Sequence, residues 1–398
     1  LRPSRKPATR QLPVWKELLN SQRRGDYRIG VGRRILVRRF FALRRVRMLR
    51  TLSFFGFATW AALAAAADLP APTGSAIVDP SAKLELLYTR TAPIEGGLTE
   101  GPAVAPDGSI YFSDIPMTKG TGLIVRFDPK SKQTAAFTDD SGMSNGLTFD
   151  AQGRLLACEG ANKGGRCVSR WDVSSKTKTI LADGYQGKRF NAPNDNCLDA
   201  KGRLYFTDPK YLGAEPRELE KMSVYRLDPA TGKVDLVTTE VAKPNGIALS
   251  PDGRTMYLAD HDNGNDDVTK PPPAKHGAMK IYAFPLDAEG NVAGPRKTIV
   301  DFGDKKGCDG MTIDAAGNVY LTVREPTRPG VLVVDPAGTE IAFIPTGPAN
   351  QTEKPVGLPS NVEFGLGDEA NVLYITVDVS LYRIPLRAKG YHVQYATK

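Results

Sequence analysis

The sequence predicts an all-β fold: a six-bladed β-propeller with four-stranded blades, its ring closed by an N-terminal strand. Three observations carry this expectation. One short motif recurs six times along the chain, each copy reads as a tight hairpin followed by further strands, and no helical periodicity appears between the copies.

The copies are Glu100-Gly-Pro-Ala-Val-Ala-Pro-Asp-Gly, Asn145-Gly-Leu-Thr-Phe-Asp-Ala-Gln-Gly and Asn194-Asp-Asn-Cys-Leu-Asp-Ala-Lys-Gly, then Asn245-Gly-Ile-Ala-Leu-Ser-Pro-Asp-Gly, Asp309-Gly-Met-Thr-Ile-Asp-Ala-Ala-Gly and Asn361-Val-Glu-Phe-Gly-Leu-Gly-Asp-Glu. The first five end on a glycine (Gly108, Gly153, Gly202, Gly253, Gly317); the sixth has Glu369 in a longer turn. A β-rich run follows each turn, as in Ile110-Tyr-Phe-Ser and Leu204-Tyr-Phe-Thr, so strand, glycine turn and strand make a hairpin. Third strands follow, such as Leu123-Ile-Val-Arg-Phe-Asp and Val224-Tyr-Arg-Leu-Asp. Fourth strands are expected at 134–138, 178–182, 234–239, 297–301 and 340–345. The leading residues are 45, 49, 51, 64 and 52 positions apart, close to the roughly 40–50 residues that a four-stranded blade needs. The last repeat lacks a fourth strand. Residues 83–89 are expected to supply it, which would join the two chain ends and hide a sheet edge; residues 391–395 are the other candidate.

Upstream, Met48-Leu49-Arg50, an apolar run from Leu52 to about Ala66 and small residues before Asp68 read as a secretory signal over 48–67. The run is too short for a permanent span to be favoured, although an uncleaved anchor is the alternative. These features point to an exported protein, periplasmic or extracellular, with a linker over 68–82 and the propeller over 83–398. Residues 1–47 read as a non-native or disordered basic segment. Residues 1–50 contribute a net charge of +14, so the +9 of the whole chain becomes −5 for the remainder. Nucleic-acid binding therefore loses its main support. The four cysteines, Cys158, Cys167, Cys197 and Cys308, show no zinc spacing. A disulfide between Cys158 and Cys167 is plausible in an oxidising compartment.

The six leading residues, Glu100, Asn145, Asn194, Asn245, Asp309 and Asn361, are all carboxylates or carboxamides. The first strand of each propeller blade lines the axis, so these positions form a ring of oxygen-bearing side chains at one channel mouth. Such hard oxygens suit calcium or magnesium, and the ring holds no His or Cys. An alternative is that each residue only hydrogen-bonds backbone at its strand start. The acids Asp114, Glu159, Asp208 and Asp260 end the second strands of four repeats and read as turn devices that satisfy backbone amides.

Thr99-Glu-Gly-Pro, Asn191-Ala-Pro-Asn-Asp, Leu204-Tyr-Phe-Thr-Asp-Pro-Lys-Tyr, Lys243-Pro-Asn-Gly-Ile-Ala-Leu-Ser-Pro-Asp-Gly and Cys308-Asp-Gly-Met resemble the SMP-30/gluconolactonase/LRE family. The resemblance spans about 83–386. It implies hydrolysis of a small-molecule lactone or similar ester by one catalytic divalent cation, calcium, with magnesium, manganese or zinc as alternatives. It maps Glu100, Asn194, Asn245 and Asp309 onto the metal-binding residues. Asp309 is then the candidate base or nucleophile, and Asn194 orients the substrate oxygen. Asn145 and Asn361 become candidates for the substrate pocket, as do His261, Lys210 and Tyr211 in loops expected on the same face. Asn196 after Asp195, and Cys308 before Asp309, depart from the family's pattern. The longest repeat carries a loop over 261–280 that is expected to shape substrate entry. A phosphotriesterase or arylesterase on the same metal, or a non-catalytic ligand-binding propeller, are the rival readings.

Overall fold

A computed structural model of the chain describes residues 69–91, 97–117 and 120–396. The expected signal segment and the basic segment before it lie outside these residues. Six four-stranded antiparallel sheets follow one another around an axis. They are blade 1 (98–138), blade 2 (144–182), blade 3 (196–238), blade 4 (244–301), blade 5 (308–345) and blade 6 (359–385). In blades 1 to 5 the first strand in sequence is innermost and the fourth outermost; blade 6 runs outward from Pro359–Phe364 and takes its outer strand from the start of the described chain. The outer strands of blades 1 to 5, Gln133–Thr138, Thr177–Ala182, Val234–Thr238, Lys297–Asp301 and Glu340–Pro345, coincide with the expected ones to within a residue.

The second strands explain why the repeats read as continuous apolar runs. Ile110–Ile115, Leu155–Glu159, Leu204–Asp208 and Val319–Val323 are buried at every position. Each blade is covered on both faces by its neighbours, so both sets of alternating side chains are in core. Aromatic side chains fill the space between blades. Tyr111 and Phe149 meet edge-on at 5.2 Å between blades 1 and 2, and Tyr320 meets Phe364 at 5.0 Å between blades 5 and 6.

The ring closes as the first alternative required. Glu85–Thr89 pairs antiparallel with Ser380–Pro385 as the outer strand of blade 6, with Glu85 opposite Arg383. Residues 391–395 form no blade strand. They continue a strap that crosses the far mouth of the channel. Gly390 bridges to Asp314, the Tyr391 hydroxyl donates to Pro251 O at 3.1 Å, and the Tyr395 hydroxyl donates to Val104 O at 3.1 Å. The segment expected as a linker, 68–82, is packed from its middle onward. Thr73 bridges to Phe343, and Ile77 and Val78 are buried in the core of blades 5 and 6. Ile77 and Val78 are adjacent and the other apolar residues of the segment follow no strand or helix period, so the sequence carried no sign of this docking.

A Cys158–Cys167 disulfide does not form, and all four cysteines are free thiols. The register gives the reason. Cys158 pairs with Val168 and Cys167 with Glu159, one position out of step. Neighbouring residues on a strand face opposite sides of a sheet, so the two thiols cannot meet.

At the axis the inner strands approach so closely that four of them require glycine after the ring residue. A Cβ on Gly101 would lie 2.2 Å from Asn145 O, on Gly146 2.6 Å from Asn194 O, and on Gly246 2.4 Å from Asp309 O. On Gly310 it would enter the side chain of Asn361. Gly246→Ala is therefore expected to lower unfolding free energy by about 1–3 kcal/mol, the usual cost of overpacking. Denaturant unfolding of the two proteins measures this; equal midpoints would mean that the strands can separate freely.

Candidate active site

Five of the six ring residues sit where their strand changes register; Asn194 of blade 3 lies just before its strand, Asn196–Leu198, which has no bulge. The inner strands bulge between Glu100 and Ala103, Ser144 and Leu147, Pro244 and Ile247, Cys308 and Met311, and Pro359 and Asn361. A bulge re-aims a side chain that regular pleating would leave between the sheets. Hydroxyls on the second strands then fix the bulged backbone. Ser113 Oγ donates to Asn145 O at 2.8 Å, and Thr322 Oγ1 to Gly310 O at 2.8 Å. Thr207 Oγ1 accepts the Asp195 amide at 3.0 Å.

The acids at the strand ends divide into two uses. Asp208 accepts the Asn191 and Ala192 amides, both at 2.8 Å, and Asp260 accepts those of Lys243 and Ala242 at 3.0 and 3.3 Å. Both hold the approach to a ring residue, Asn194 or Asn245. Asp114 instead pairs with Arg90, and Glu159 with Lys178 at 3.2 Å.

A cavity of about 310 Å³ opens at this mouth. Glu100, Asn145, Asn194, Asn245 and Asp309 line it, together with Tyr211 and His261. Asn245 Nδ2 donates to Asp309 Oδ1 at 2.7 Å and to the Tyr211 hydroxyl at 3.2 Å, which leaves its Oδ1 for another partner. The Tyr211 hydroxyl donates in turn to His261 O at 3.0 Å. His261 Nδ1 lies 2.8 Å from Cys308 O, and burial lowers the pKa of the ring. A neutral imidazole donating from Nδ1 has Nε2 as an acceptor. Burial, and then the Asp309 carboxylate, push the pKa of Glu100 well above the usual carboxylate range.

Two expected pocket residues lie elsewhere. Asn361 accepts the Val362 amide at 2.8 Å through its Oδ1 and donates to Asp195 Oδ1 at 3.4 Å. These side chains come from opposite blades and meet across the axis beneath the cavity. Lys210 turns away from the cavity, its Nζ donating to the carbonyls of Leu212 and Gly213. It shapes its own loop.

The sequence reading missed Arg324, which lines the same cavity with its Nε 3.4 Å from Asp309 Oδ2. A weak signal existed. Blade 5 has Val323 where blades 1 to 4 end the second strand with an acid, and Arg324 follows it. The loop over 261–280 does reach the cavity, through Asn263 and Val268. Lys243 holds it there. Its Nζ donates to Asn263 Oδ1 at 2.6 Å and lies 4.2 Å from the centre of the Tyr211 ring. Burial brings that lysine down to about 8.

A family model described as the SMP-30/gluconolactonase/LRE-like region matches residues 98–378. The chain belongs to this family. A gluconolactonase of Zymomonas mobilis is 27% identical over 341 residues, covering 80% of this chain and 85% of that protein. A gluconolactonase structure from Xanthomonas campestris superposes with a TM-score of 0.64 at 27% identity, covering 80% of this chain and 95% of that one. A calcium-binding regucalcin from Agrobacterium tumefaciens shares the fold, with a TM-score of 0.57 at 20% identity and coverage of 75% and 96%.

Asp208 makes the frame of this family member sensitive to pH. Burial raises its pKa to about 7, against an ordinary value of 3.8. The folded protein thus keeps a proton that the unfolded chain sheds near pH 4. The associated stability is fully present below that pH and is lost as pH rises through about 7. Asp208→Asn is expected to flatten the fall in unfolding free energy between pH 4 and 7, while costing about 1–3 kcal/mol overall through a mismatched amide. Denaturant midpoints at pH 5, 6, 7 and 8 test this, and an unchanged slope would refute it.

Proposed function

We propose that the protein is a divalent-metal-dependent hydrolase that opens a lactone, as a gluconolactonase does, or a closely related ester. The observation that carries this is the convergence of Glu100, Asn194, Asn245 and Asp309 on one cavity with substrate-sized room beside them. Its similarity to gluconolactonases over most of both chains supports a hydrolase of this general type.

Among the described residues no three His, Cys, Asp or Glu side chains gather as ligands. The donor set is instead two carboxylates with carboxamides. That set fits calcium, which takes oxygen ligands of both kinds, with magnesium, manganese or zinc as alternatives. The raised pKa of Glu100 fits it too, because two buried carboxylates repel unless a cation or proton offsets them. Glu100, Asn194, Asn245 and Asp309 would hold the ion. When bound, it supplies polarisation of the acyl carbonyl and stabilisation of the oxyanion that develops there.

The chain's own residues do the rest. Asp309 takes a proton from water as the water oxygen adds to the acyl carbon. The carbon–oxygen bond of the ring then breaks, and the departing ring oxygen receives that proton, giving a hydroxy acid. Asn245 and Arg324 hold Asp309 in place through its two oxygens. Asn194 orients the substrate oxygen, and Tyr211 and His261 form the polar wall. Direct attack by the Asp309 carboxylate is the alternative route, marked by solvent oxygen appearing in the aspartate.

An arylesterase or phosphotriesterase reading has one observation in its favour. Leu98, Ile115, Met117, Met143 and Leu212 make the other wall of the cavity apolar. A panel of glucono-, galactono- and butyrolactones, an aryl ester and an organophosphate triester separates these readings. Lactone turnover that a chelator abolishes is expected. Asp309→Asn should reduce it by about 100-fold or more with folding intact, the scale of a lost general base. Tight metal binding with no turnover on any compound would favour a ligand-binding propeller instead. Deleting residues 263–273 is expected to change the ranking of the panel by removing Asn263 and Val268 from the cavity wall. Metal affinity, measured by calorimetry, should stay near that of the intact chain; a large fall would place the loop in the metal site.

A further inference from the structure

The cavity wall contains one cation. Among the described residues that line it, Arg324 is the sole lysine or arginine. Two lysines of the surrounding loops are committed elsewhere: Lys210 to the carbonyls of its own loop and Lys243 to Asn263 and Asn265. Arg324 leaves the end of the second strand of blade 5 and spans two blades. Nη1 donates to Pro359 O of blade 6 at 3.1 Å, and Nε faces Asp309 Oδ2 at 3.4 Å. Its side chain retains 23% exposure, and Nη2 has no hydrogen-bond partner among the described residues.

This guanidinium is hydrogen-bonded through one nitrogen and ion-paired through a second, on a side chain that lines the cavity, which leaves Nη2 available as a donor. A planar fork held in this way loses little freedom when it grips an anion, and a carboxylate matches its geometry. Charge balance of Asp309 alone would need no such fork and no donor left over. The sum of charges points the same way. Glu100 and Asp309 give −2 and Arg324 +1, so a divalent ion would leave the mouth at +1. A neutral lactone keeps that excess beside the apolar wall of Leu98, Ile115 and Met143, where charge is poorly solvated. A lactone bearing one carboxylate cancels it.

We propose that Arg324 is a specificity-determining residue that binds a carboxylate on the substrate, so that the preferred substrates are acidic sugar lactones. This rests on the lactonase reading for the ring-opening step; the recognition of the carboxylate can be measured without turnover.

The experiment compares D-glucaro-1,4-lactone with D-glucono-1,4-lactone, which share a ring and differ at C6, carboxylate against hydroxymethyl. Calorimetric binding of the open forms, glucarate and gluconate, to the metal-loaded protein provides the second readout. Glucarate and gluconate share the C1 carboxylate and, like the lactones, differ at C6, so the intact protein should favour the member of each pair that bears the C6 carboxylate by about 10- to 100-fold, the usual worth of a charge-assisted hydrogen bond. In Arg324→Gln both ratios should fall towards one. Arg324→Lys, which keeps the charge but lacks the fork, should lie between and shows that the effect is recognition rather than folding. No preference in the intact protein would overturn the inference. So would an equal loss on both members of a pair in Arg324→Gln, because it would place the guanidinium's role at the reacting centre or on Asp309. Absence of all lactone turnover, with glucarate still favoured over gluconate and the preference lost in Arg324→Gln, would sink the lactonase reading and leave carboxylate recognition standing.

Discussion

The close packing of six inner strands around one axis is the constraint on which this molecule's site depends. Where the strands converge there is no volume for a Cβ after the ring residue in blades 1, 2, 4 and 5, and each of those positions is glycine. Blades 3 and 6, which face each other, carry Asp195 and Val362 instead. Asp195 and Asn361 from those two blades use the space that the glycines vacate. A side chain on Gly146 would lie 2.8 Å from Asp195 Oδ1, and one on Gly310 would occupy the place of Asn361. The cross-axis contact between Asp195 and Asn361 therefore closes the channel beneath the ring, and the cavity above becomes a cup. The glycines are a steric requirement of that arrangement, independent of any need for unusual backbone angles at Gly146, Gly246 or Gly310.

Burying carboxylates in such a cup has an electrostatic cost that the fold does not relieve by itself. Desolvation raises Glu100 well above its ordinary range, and Asp195 beneath it reaches about 7. Asp195 Oδ2 also lacks a hydrogen-bond partner among the described residues. Arg324 offsets part of this from one side, but a single guanidinium cannot serve Glu100, Asp195 and Asp309 together. A divalent ion among hard oxygens would balance two of these charges at once, and this is the physical content of the metal proposal. The acids of the strand ends behave differently because each already has two backbone amides or a cation. Their role is to hold the approach to the ring.

Much of this was legible in the sequence, for a clear reason. A propeller repeats one hairpin unit, so the glycine turn, the buried second strand and the ring residue each appear six times or nearly so. Repetition turns a weak local signal into a strong one. What failed were features that occur once. Asn361 shares the ring position, yet its side chain drops to the channel floor, whereas Asn194, whose repeat also lacks the following glycine, lines the cavity, so the repeat pattern does not separate the two. Lys210 stood beside Tyr211 in the sequence, yet adjacent loop residues point in different directions, and only Tyr211 reaches the cavity. Cys158 and Cys167 were separated by a plausible hairpin distance, but a one-residue offset in register placed them on opposite faces. Arg324 was visible only as the absence of an acid in blade 5. The docking of Ile77 and Val78 left no periodic trace.

The two walls of the cup differ in origin, and this bears on how the chemistry and its specificity are divided. Of the proposed metal donors, Glu100, Asn245 and Asp309 come from bulged strand ends and Asn194 from just before its strand, all packed against adjacent blades. They have little room to move without disturbing the axis. The other residues that line the cavity come from elsewhere: Tyr211 and Leu212 from a loop of blade 3, Asn263 and Val268 from the long loop of blade 4, and Arg324 from just beyond a strand of blade 5. Lys243 links these sets, since it lies two residues before Asn245, stacks on Tyr211 and holds Asn263. A change in loop length can thus redraw the polar wall while the ring stays put, because loops on a rigid scaffold tolerate variation that the core does not. Arg324 is the exception. It contacts Asp309 directly, so any substrate group it binds is placed at a fixed offset from the carboxylate proposed to act on the substrate. Recognition at that position is therefore tied to the chemistry in a way that recognition by the blade 4 loop is not.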